Sequence, residues 1–249
     1  MLIVNYHAIG PERSPISCRM DDLRSDIRGL RDAGFEFITL DACADWLEHP
    51  EPITSRAVAI TFDDGYASVA SQAVPFLTAE RVPCAVFVIA GRLGGDNRWA
   101  GQWKSVPILP LVDRAALAEM GAAGVCIGAH TFTHPVLPSL DDLTARREIV
   151  DAAAPLEDVV GRPVRHFAYP YGLRNTRDVA LARERYRLAL TTTPALVGPT
   201  ASPTEVPRVD CHDLRIALRL GLSARRTLGP YLTVRAALRR YRRRVAGDF

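Results

Sequence analysis

The sequence predicts an α/β fold, a closed or nearly closed (β/α) barrel of about seven strands. Three observations carry this. Short apolar bursts alternate with amphipathic stretches along most of the chain, and strands separated by helices pair in parallel through right-handed crossovers. Roughly seven or eight such units fit within ~210 residues, the length of one barrel rather than of two independent domains. No Gly-rich dinucleotide fingerprint or P-loop supports the alternative, an open doubly wound sheet.

Taken in order, Leu2 to Tyr6 reads as a buried strand, too short and uncharged for a signal peptide. Met20 to Ala33 places Leu23, Ile27 and Leu30 on one helical face and stops at Gly34. Phe35 to Leu40 is a short strand and Asp41 to Leu47 a short helix. Ala57 to Phe62 (AVAITF) is a buried strand, as in a sheet covered on both faces, and Ala67 to Glu80 is a helix. Pro83 to Ala90 is the next strand. A loop from Gly91 to about Pro110 carries Asp96, Trp99 and Trp103. Asp113 to Ala122 is a helix, Val125 to Ala129 a strand, and Leu140 to Val160 one long helix. Val164 to Ala168, a helix from Arg174 to Arg185, Tyr186 to Thr191 and Glu205 to Val209 complete the barrel.

Hydrophobic residues at 48% and charged ones at 24% of 249 positions exclude a disordered, collagenous or coiled-coil chain. No apolar run approaches the roughly 20 residues that span a bilayer. Cys18, Cys43, Cys84, Cys126 and Cys211 are scattered without a CxxC pair. They read as small core residues in a reducing compartment, so the expected location is the cytoplasm. The net charge of +3 conceals an asymmetry: from Leu214 onward ten arginines meet one acid, Asp248. The expected organisation is a catalytic barrel over 1–213 and a basic, Arg-rich helical extension over 214–249.

The polar residues worth singling out sit at the ends of predicted strands: His7, Asp63-Asp64-Gly65, His130 with His134, Tyr169-Pro170-Tyr171-Gly172, and Arg208. In a parallel barrel these ends open on one face, where active sites lie. Two adjacent carboxylates form an ordinary turn or helix cap in many proteins. At a strand end they cost stability unless a cation or proton lies between them. His130 and His134, at i and i+4, can reach one metal, and with a strand-end carboxylate they make a His₂-carboxylate set with positions left for water, as in a catalytic site. Read alone, His7 is equally a packed histidine, Arg208 an ion-pair residue, and Tyr169, Pro170 and Tyr171 packing and turn residues. His49 reads as exposed and His166 as packed.

Thr61-Phe62-Asp63-Asp64-Gly65, His130-Thr131-Phe132-Thr133-His134 and Phe167 to Gly172, in that order, resemble the polysaccharide deacetylases of carbohydrate esterase family 4, the NodB-homology fold, over roughly Leu2 to Asp213. The resemblance implies a distorted (β/α) barrel and a metal-dependent hydrolase that removes N-acetyl groups from an amino-sugar glycan. It implies a divalent metal, zinc first, with Co²⁺, Ni²⁺ and Mn²⁺ as alternatives, held by Asp64, His130 and His134. Asp63 is then the general base, and the backbone N–H around Tyr171 serves the oxyanion. Two departures stand out: Ala168 occupies a position where many members carry an arginine oriented on the base, and a late Leu-x-His is missing. The poly-N-acetylglucosamine deacetylase type is similar to the opening Tyr6-His7 and to Pro207-Arg208-Val209. On that pattern His7 is the general acid, Arg208 the partner of Asp63, and His212 the reserve acid. An O-acetyl esterase of the same fold, or an inactive carbohydrate-binding homologue, are the alternatives.

The expected substrate is an acetylated amino-sugar saccharide, free or lipid-linked, with Tyr169, Pro170, Trp99 and Trp103 as candidate contacts. Exposed tryptophans at a barrel mouth can stack on sugar rings, or equally close the barrel edge. The tail interleaves Ile216, Leu218, Leu220, Leu222, Leu228, Leu232, Val234 and Leu238 with arginines, and Pro230 is expected to split it into two helices. Two readings stand: a solvated extension packed on the barrel, or a basic amphipathic segment at the anionic inner face of the membrane. Charge alone permits nucleic acid, but no recognition module accompanies it, and none is expected to bind.

Overall fold

The computed structural model describes residues 1–11, 14–50, 56–102 and 105–246. In chain order the elements are β1 (Leu2–Tyr6), β2 (Ala8–Ile9), β3 (Ser17–Cys18), α1 (Met20–Asp32), β4 (Glu36–Phe37), α2 (Leu40–Glu48), β5 (Ala57–Phe62), α3 (Val74–Ala79), β6 (Cys84–Val88), α4 (Arg114–Ala122), β7 (Cys126–Ala129), α5 (Asp142–Ile149), α6 (Ala154–Val160), β8 (His166–Ala168), α7 (Thr176–Arg185), β9 (Leu188–Leu190), β10 (Val209–Asp210), α8 (Cys211–Arg219) and α9 (Arg225–Ala246). The main sheet runs β10-β1-β5-β6-β7-β8-β9, with β4 against β5. Every pairing in it is parallel. Leu190 also bridges Val206 in parallel, and Thr191 N–H donates to the Val206 carbonyl at 2.8 Å. The segment leading into β10 therefore touches β9 as well as β1, and the sheet curls into the distorted barrel that the sequence predicts.

Side chains alternate across a strand with a period of two, and here the two faces feed two cores. Ile3, Ala59, Ala85, Phe87, Ala168 and Leu190 fill the inside of the curl. Leu2, Val4, Val58, Ile60 and Phe62 face outward into the layer beneath the helices. The inner core is narrow. A Cβ on Gly128 would lie 2.4 Å from the Phe87 ring, so glycine there lets Phe87 occupy the barrel axis.

Several boundaries differ from the sequence expectation, each for a local reason. The expected helix Leu140 to Val160 is two, α5 and α6, because Pro155 has no N–H for the preceding turn and instead begins the second helix. Ala67 to Glu80 starts as a π-helical turn, Val69–Ala73, before becoming α3. The strand expected over Phe35 to Leu40 shortens to β4, and in place of the one over Glu205 to Val209 there is an isolated bridge at Val206 followed by β10. Pro230 does not divide the tail: it lies inside continuous α9. The break falls earlier, at Gly221, which takes the left-handed φ of +70° while Leu222 N–H closes on the Ala217 carbonyl at 2.8 Å, a glycine helix stop. Leu214, Ala217, Leu228 and Leu232 belong to the same core as the outer face of the barrel.

All five cysteines are free. Burial pushes the thiols of Cys43, Cys84 and Cys126 up to about 12.

Candidate active site

The inward-facing rows of the strands end in polar residues. The row of β1 runs Ile3, Asn5, His7, and that of β5 runs Ala59, Thr61, Asp63. At the C-terminal ends of the strands these rows, with His130 beyond β7, make the top layer of the barrel interior. Just past β5, Asp64 and Gly65 both adopt left-handed backbone, φ +68° and +70°, which turns the chain so that Asp63 and Asp64 serve different partners.

Asp64 faces two imidazoles. Its Oδ1 lies 3.2 Å from His130 Nε2 and 3.4 Å from His134 Nε2, all three residues are buried, and their ligand atoms lie within 4.8 Å of one another. These two separations match the edge of a tetrahedron about 3.4 Å long, as Zn–N and Zn–O bonds near 2.1 Å produce. His130 Nδ1 sits 2.7 Å from the Ala168 carbonyl. That bond holds the ring proton on Nδ1 and aims the Nε2 lone pair at the carboxylate. Two lone-pair atoms facing each other in a buried site call for a cation or a proton between them. The residues therefore fit a divalent metal.

Burial and hydrogen bonding compete at each member of this trio. Burial pushes the Asp64 carboxyl up, but hydrogen bonds to His130 and His134 outweigh it and hold the group well below the carboxylate range. Burial lowers both histidines. At His130 the Asp64 bond and the Asp63 charge overcome it and raise the group, whereas at His134 burial prevails and it stays lowered.

Asp63 has a different environment. Arg208, 1% exposed, meets it fork to fork: Nη1 to Oδ1 and Nη2 to Oδ2, both 2.7 Å. The other guanidinium donors reach the Thr191 carbonyl at 3.0 Å, Asn5 Oδ1 at 3.0 Å and Thr61 Oγ1 at 3.3 Å. A buried charge survives only when paired and hydrogen-bonded, and this one is. Desolvation raises the Asp63 carboxyl, but the Arg208 charge, then His130 and His7, more than offset it, so the group stays ionised. Where the family pattern has an arginine, Ala168 packs in the inner core and the guanidinium arrives from position 208 instead.

The His130–His134 loop is held in strained backbone. Among the described residues, four of the five non-glycine positions with positive φ are Asp64, Thr131, His134 and Tyr171, and such conformations concentrate where the surrounding structure forces them. Glu148 supplies part of that force. It accepts from Phe132 N–H at 2.9 Å, Thr133 N–H at 2.8 Å and Thr133 Oγ1 at 2.7 Å, while Thr131 Oγ1 accepts from His134 N–H at 2.9 Å. Sequence reasoning missed Glu148. The available signal was an acid on the buried face of a helix, between Ala145 and Ile149.

Trp99, 6% exposed, covers His134 with ring centroids 4.4 Å apart, and Tyr171 meets His134 edge-on at 4.8 Å. Tyr171 occupies the second position of the Pro170–Gly172 turn with φ 58°. Gly172 is required there: at φ +69° a Cβ would lie 2.2 Å from Thr192 Oγ1. Buried Tyr66, beside Asp64 and bonded by Asn97 at 3.4 Å, is raised by desolvation and by the Asp64 charge. Asn97 in turn ties the Gly91–Pro110 loop through Pro107 O and Leu109 N–H. Neither Tyr66 nor Asn97 was marked by its sequence context.

Three of the expected substrate contacts are corrected. Tyr169 is fully buried and its hydroxyl donates to the Thr204 carbonyl at 3.0 Å, so it is a packing residue. Pro170 is buried and opens the turn. Trp99 is a wall over His134 rather than an exposed stacking surface. Trp103 lies outside the described residues. His7 is half-buried, and its charge reaches both Asp63 and Asp64. His212 is also half-buried but lines a separate depression with Arg19, Asp22 and Arg215. His166 is packed, with Nε2 3.2 Å from Asp41 Oδ1, and His49 is exposed.

Comparison with known proteins bears on the fold and the family of the chain. The family model described as polysaccharide deacetylase matches residues 51–187. A poly-beta-1,6-N-acetyl-D-glucosamine N-deacetylase of Staphylococcus aureus (strain MSSA476) is 22% identical over 84% of this chain and 73% of its own length. The chain spans 64% of the length of the YxkH protein of Bacillus subtilis (strain 168), at 23% identity. It spans half that of the Azorhizobium caulinodans chitooligosaccharide deacetylase, at 31% identity over 49% of this chain. Among solved structures, IcaB from Ammonifex degensii superposes with a TM-score of 0.76 at 26% identity, covering 89% of this chain and 96% of its own.

Proposed function

The chain belongs to the polysaccharide deacetylase family, and from that premise we propose that it is a metal-dependent hydrolase removing N-acetyl groups from an amino-sugar glycan, free or lipid-linked. The observation that carries this is the convergence of Asp64, His130 and His134 beside a carboxylate, Asp63, that Arg208 keeps ionised. The name of the Staphylococcus aureus relative supports N-acetylglucosamine polymers as the substrate class.

Asp64, His130 and His134 would hold the divalent cation, zinc first by donor type. When bound it supplies Lewis acidity toward the amide carbonyl and lowers the pKa of water. Asp63 takes the proton from the attacking water. Arg208 positions that carboxylate and keeps it charged until the proton arrives, and the fork geometry fixes which oxygen lobe faces the mouth. A backbone N–H around Tyr171, in the Pro170–Gly172 turn, donates to the oxygen on which negative charge develops. Losing one such donor typically costs about 2.7–4 kcal/mol of transition-state stabilisation. His7 gives a proton to the departing amine, a step an amide needs because the unprotonated nitrogen is a poor leaving group. His7 is preferred to His212 because it follows Tyr6, which pairs with Phe62 just before the two aspartates, whereas His212 lines a separate depression.

The test is acetate release from N-acetylglucosamine oligomers, from lipid-linked N-acetylated saccharides and from acetylated xylan, each with chelator and with added zinc. Zinc-dependent release from the amino sugars supports the proposal. Release from xylan alone would make the protein an O-acetyl esterase, and release from none would make it a binding homologue.

A further inference from the structure

The two C-terminal helices sort the basic tail into an inward and an outward side. Inward, α9 buries Leu228 and Leu232, and Arg235 and Arg239 are spent on Asp213 of α8, at 2.7 Å and 2.9 Å, a carboxylate with almost no exposure. Outward, Val234 (58% exposed), Leu238 (44%) and Tyr241 (66%) form a stripe at i, i+4 and i+7, and Ile216 and Leu220 of α8 are exposed as well. Among the described residues only Ile108 and Leu143 are other large apolar side chains this open to solvent. Arg219 and Arg226 are exposed on the same two helices, and the sequence from Arg240 to Arg244 holds four arginines with Tyr241.

The direction of α9 matters. Tyr231, Arg235 and Arg239 climb past Asp213, and Arg239 ends 3.5 Å from the Thr192 carbonyl and 4.0 Å from Asp210. Asp210 ends β10 and Thr192 lies just past β9, so α9 at Arg239 reaches the mouth of the barrel. No helix among the described residues is long and apolar enough to cross a membrane. An apolar stripe accompanied by cations suits the plane of an anionic interface: the stripe enters the acyl boundary and each arginine near the surface contributes about 1 kcal/mol. We propose that the outward side of α8 and α9 is a docking face for an anionic phospholipid bilayer, which seats the barrel mouth at the membrane surface. The catalytic consequence rests on the function proposed above, whereas the docking itself does not, so the two fail separately.

The experiment is flotation of the full chain with phosphatidylcholine vesicles containing about 30% phosphatidylglycerol, beside vesicles of phosphatidylcholine alone. At least ~tenfold more protein is expected on the anionic vesicles, falling several-fold as salt rises toward ~0.5 M. Val234→Asp combined with Leu238→Asp, and separately Leu220→Asp, should each reduce binding by ~tenfold or more with unchanged Tm, since these side chains are exposed. Equal partition onto both vesicle types, or undiminished binding by the variants, overturns the proposal. So does a wild-type dimer that the variants convert to monomer, which would make the face a self-interface, or a duplex oligonucleotide that displaces the protein from the vesicles.

Discussion

Arg208 and Asp63, 145 positions apart, meet through two parallel hydrogen bonds of 2.7 Å in the barrel interior. This pairing joins the last strand to the end of β5 and sets the charge of the candidate base.

Because the fork needs a planar guanidinium, Arg208→Lys keeps the charge but loses the bidentate geometry. Turnover is expected to fall by ~10² or more with a modest change in KM. Arg208→Ala leaves Asp63 buried and unpaired and should cost about 3–5 kcal/mol of stability. Kinetics and thermal melts of both variants check this; a lysine variant with wild-type turnover contradicts it.

The pH dependence of stability follows with its sign. The Asp63 carboxyl is held below its ordinary value of 3.8, because Arg208 outweighs desolvation. A depressed carboxylate contributes stability that is fully present above the ordinary value and is lost as pH falls through the depressed native one. The Tm gap between wild type and Asp63→Asn, both metal-free, should stay constant from about pH 7 to 5 and close below roughly pH 4. A gap that widens on acidification would reverse the assignment.

His7→Ala should retain metal and lose turnover by ~10²–10⁴, the usual worth of a general acid, while His212→Ala should change it little. Metal content and kcat measured on the same preparations decide between them. Unchanged turnover in His7→Ala would move the acid to His212.

Glu148 touches no candidate ligand, yet it holds the loop that carries two of them. Glu148→Ala leaves the Phe132 and Thr133 N–H groups without their acceptor. It should weaken zinc binding by ~10–100-fold, as loss of outer-shell support does. Competition with a zinc indicator measures this, and partial recovery in Glu148→Gln, which keeps an acceptor oxygen, separates positioning from general destabilisation.

The strand-end aspartates and histidines were legible because a parallel barrel gathers strand ends on one face, so position along the chain stands in for position in space. Tyr169 was misread for the same reason. It also follows a strand, but the alternation turns its ring outward against Phe167, and sequence near a turn does not reveal that facing. Glu148 and Trp99 were not legible as site supports because their roles depend on how α5 and the Gly91–Pro110 loop fold back over the His130–His134 segment. The tail shows a third case. Its charge and amphipathicity were plain, but which arginines Asp213 consumes, and which end of the barrel α9 reaches, required coordinates.

The most direct test of the central claim is the zinc content of the purified chain beside Asp64→Ala and His134→Ala after identical dialysis against limiting zinc. A single tightly held zinc per wild-type chain, lost from both variants while each remains folded by circular dichroism, is the predicted result. Zinc retained by both variants, or absent from the wild type at saturating supply, would contradict it.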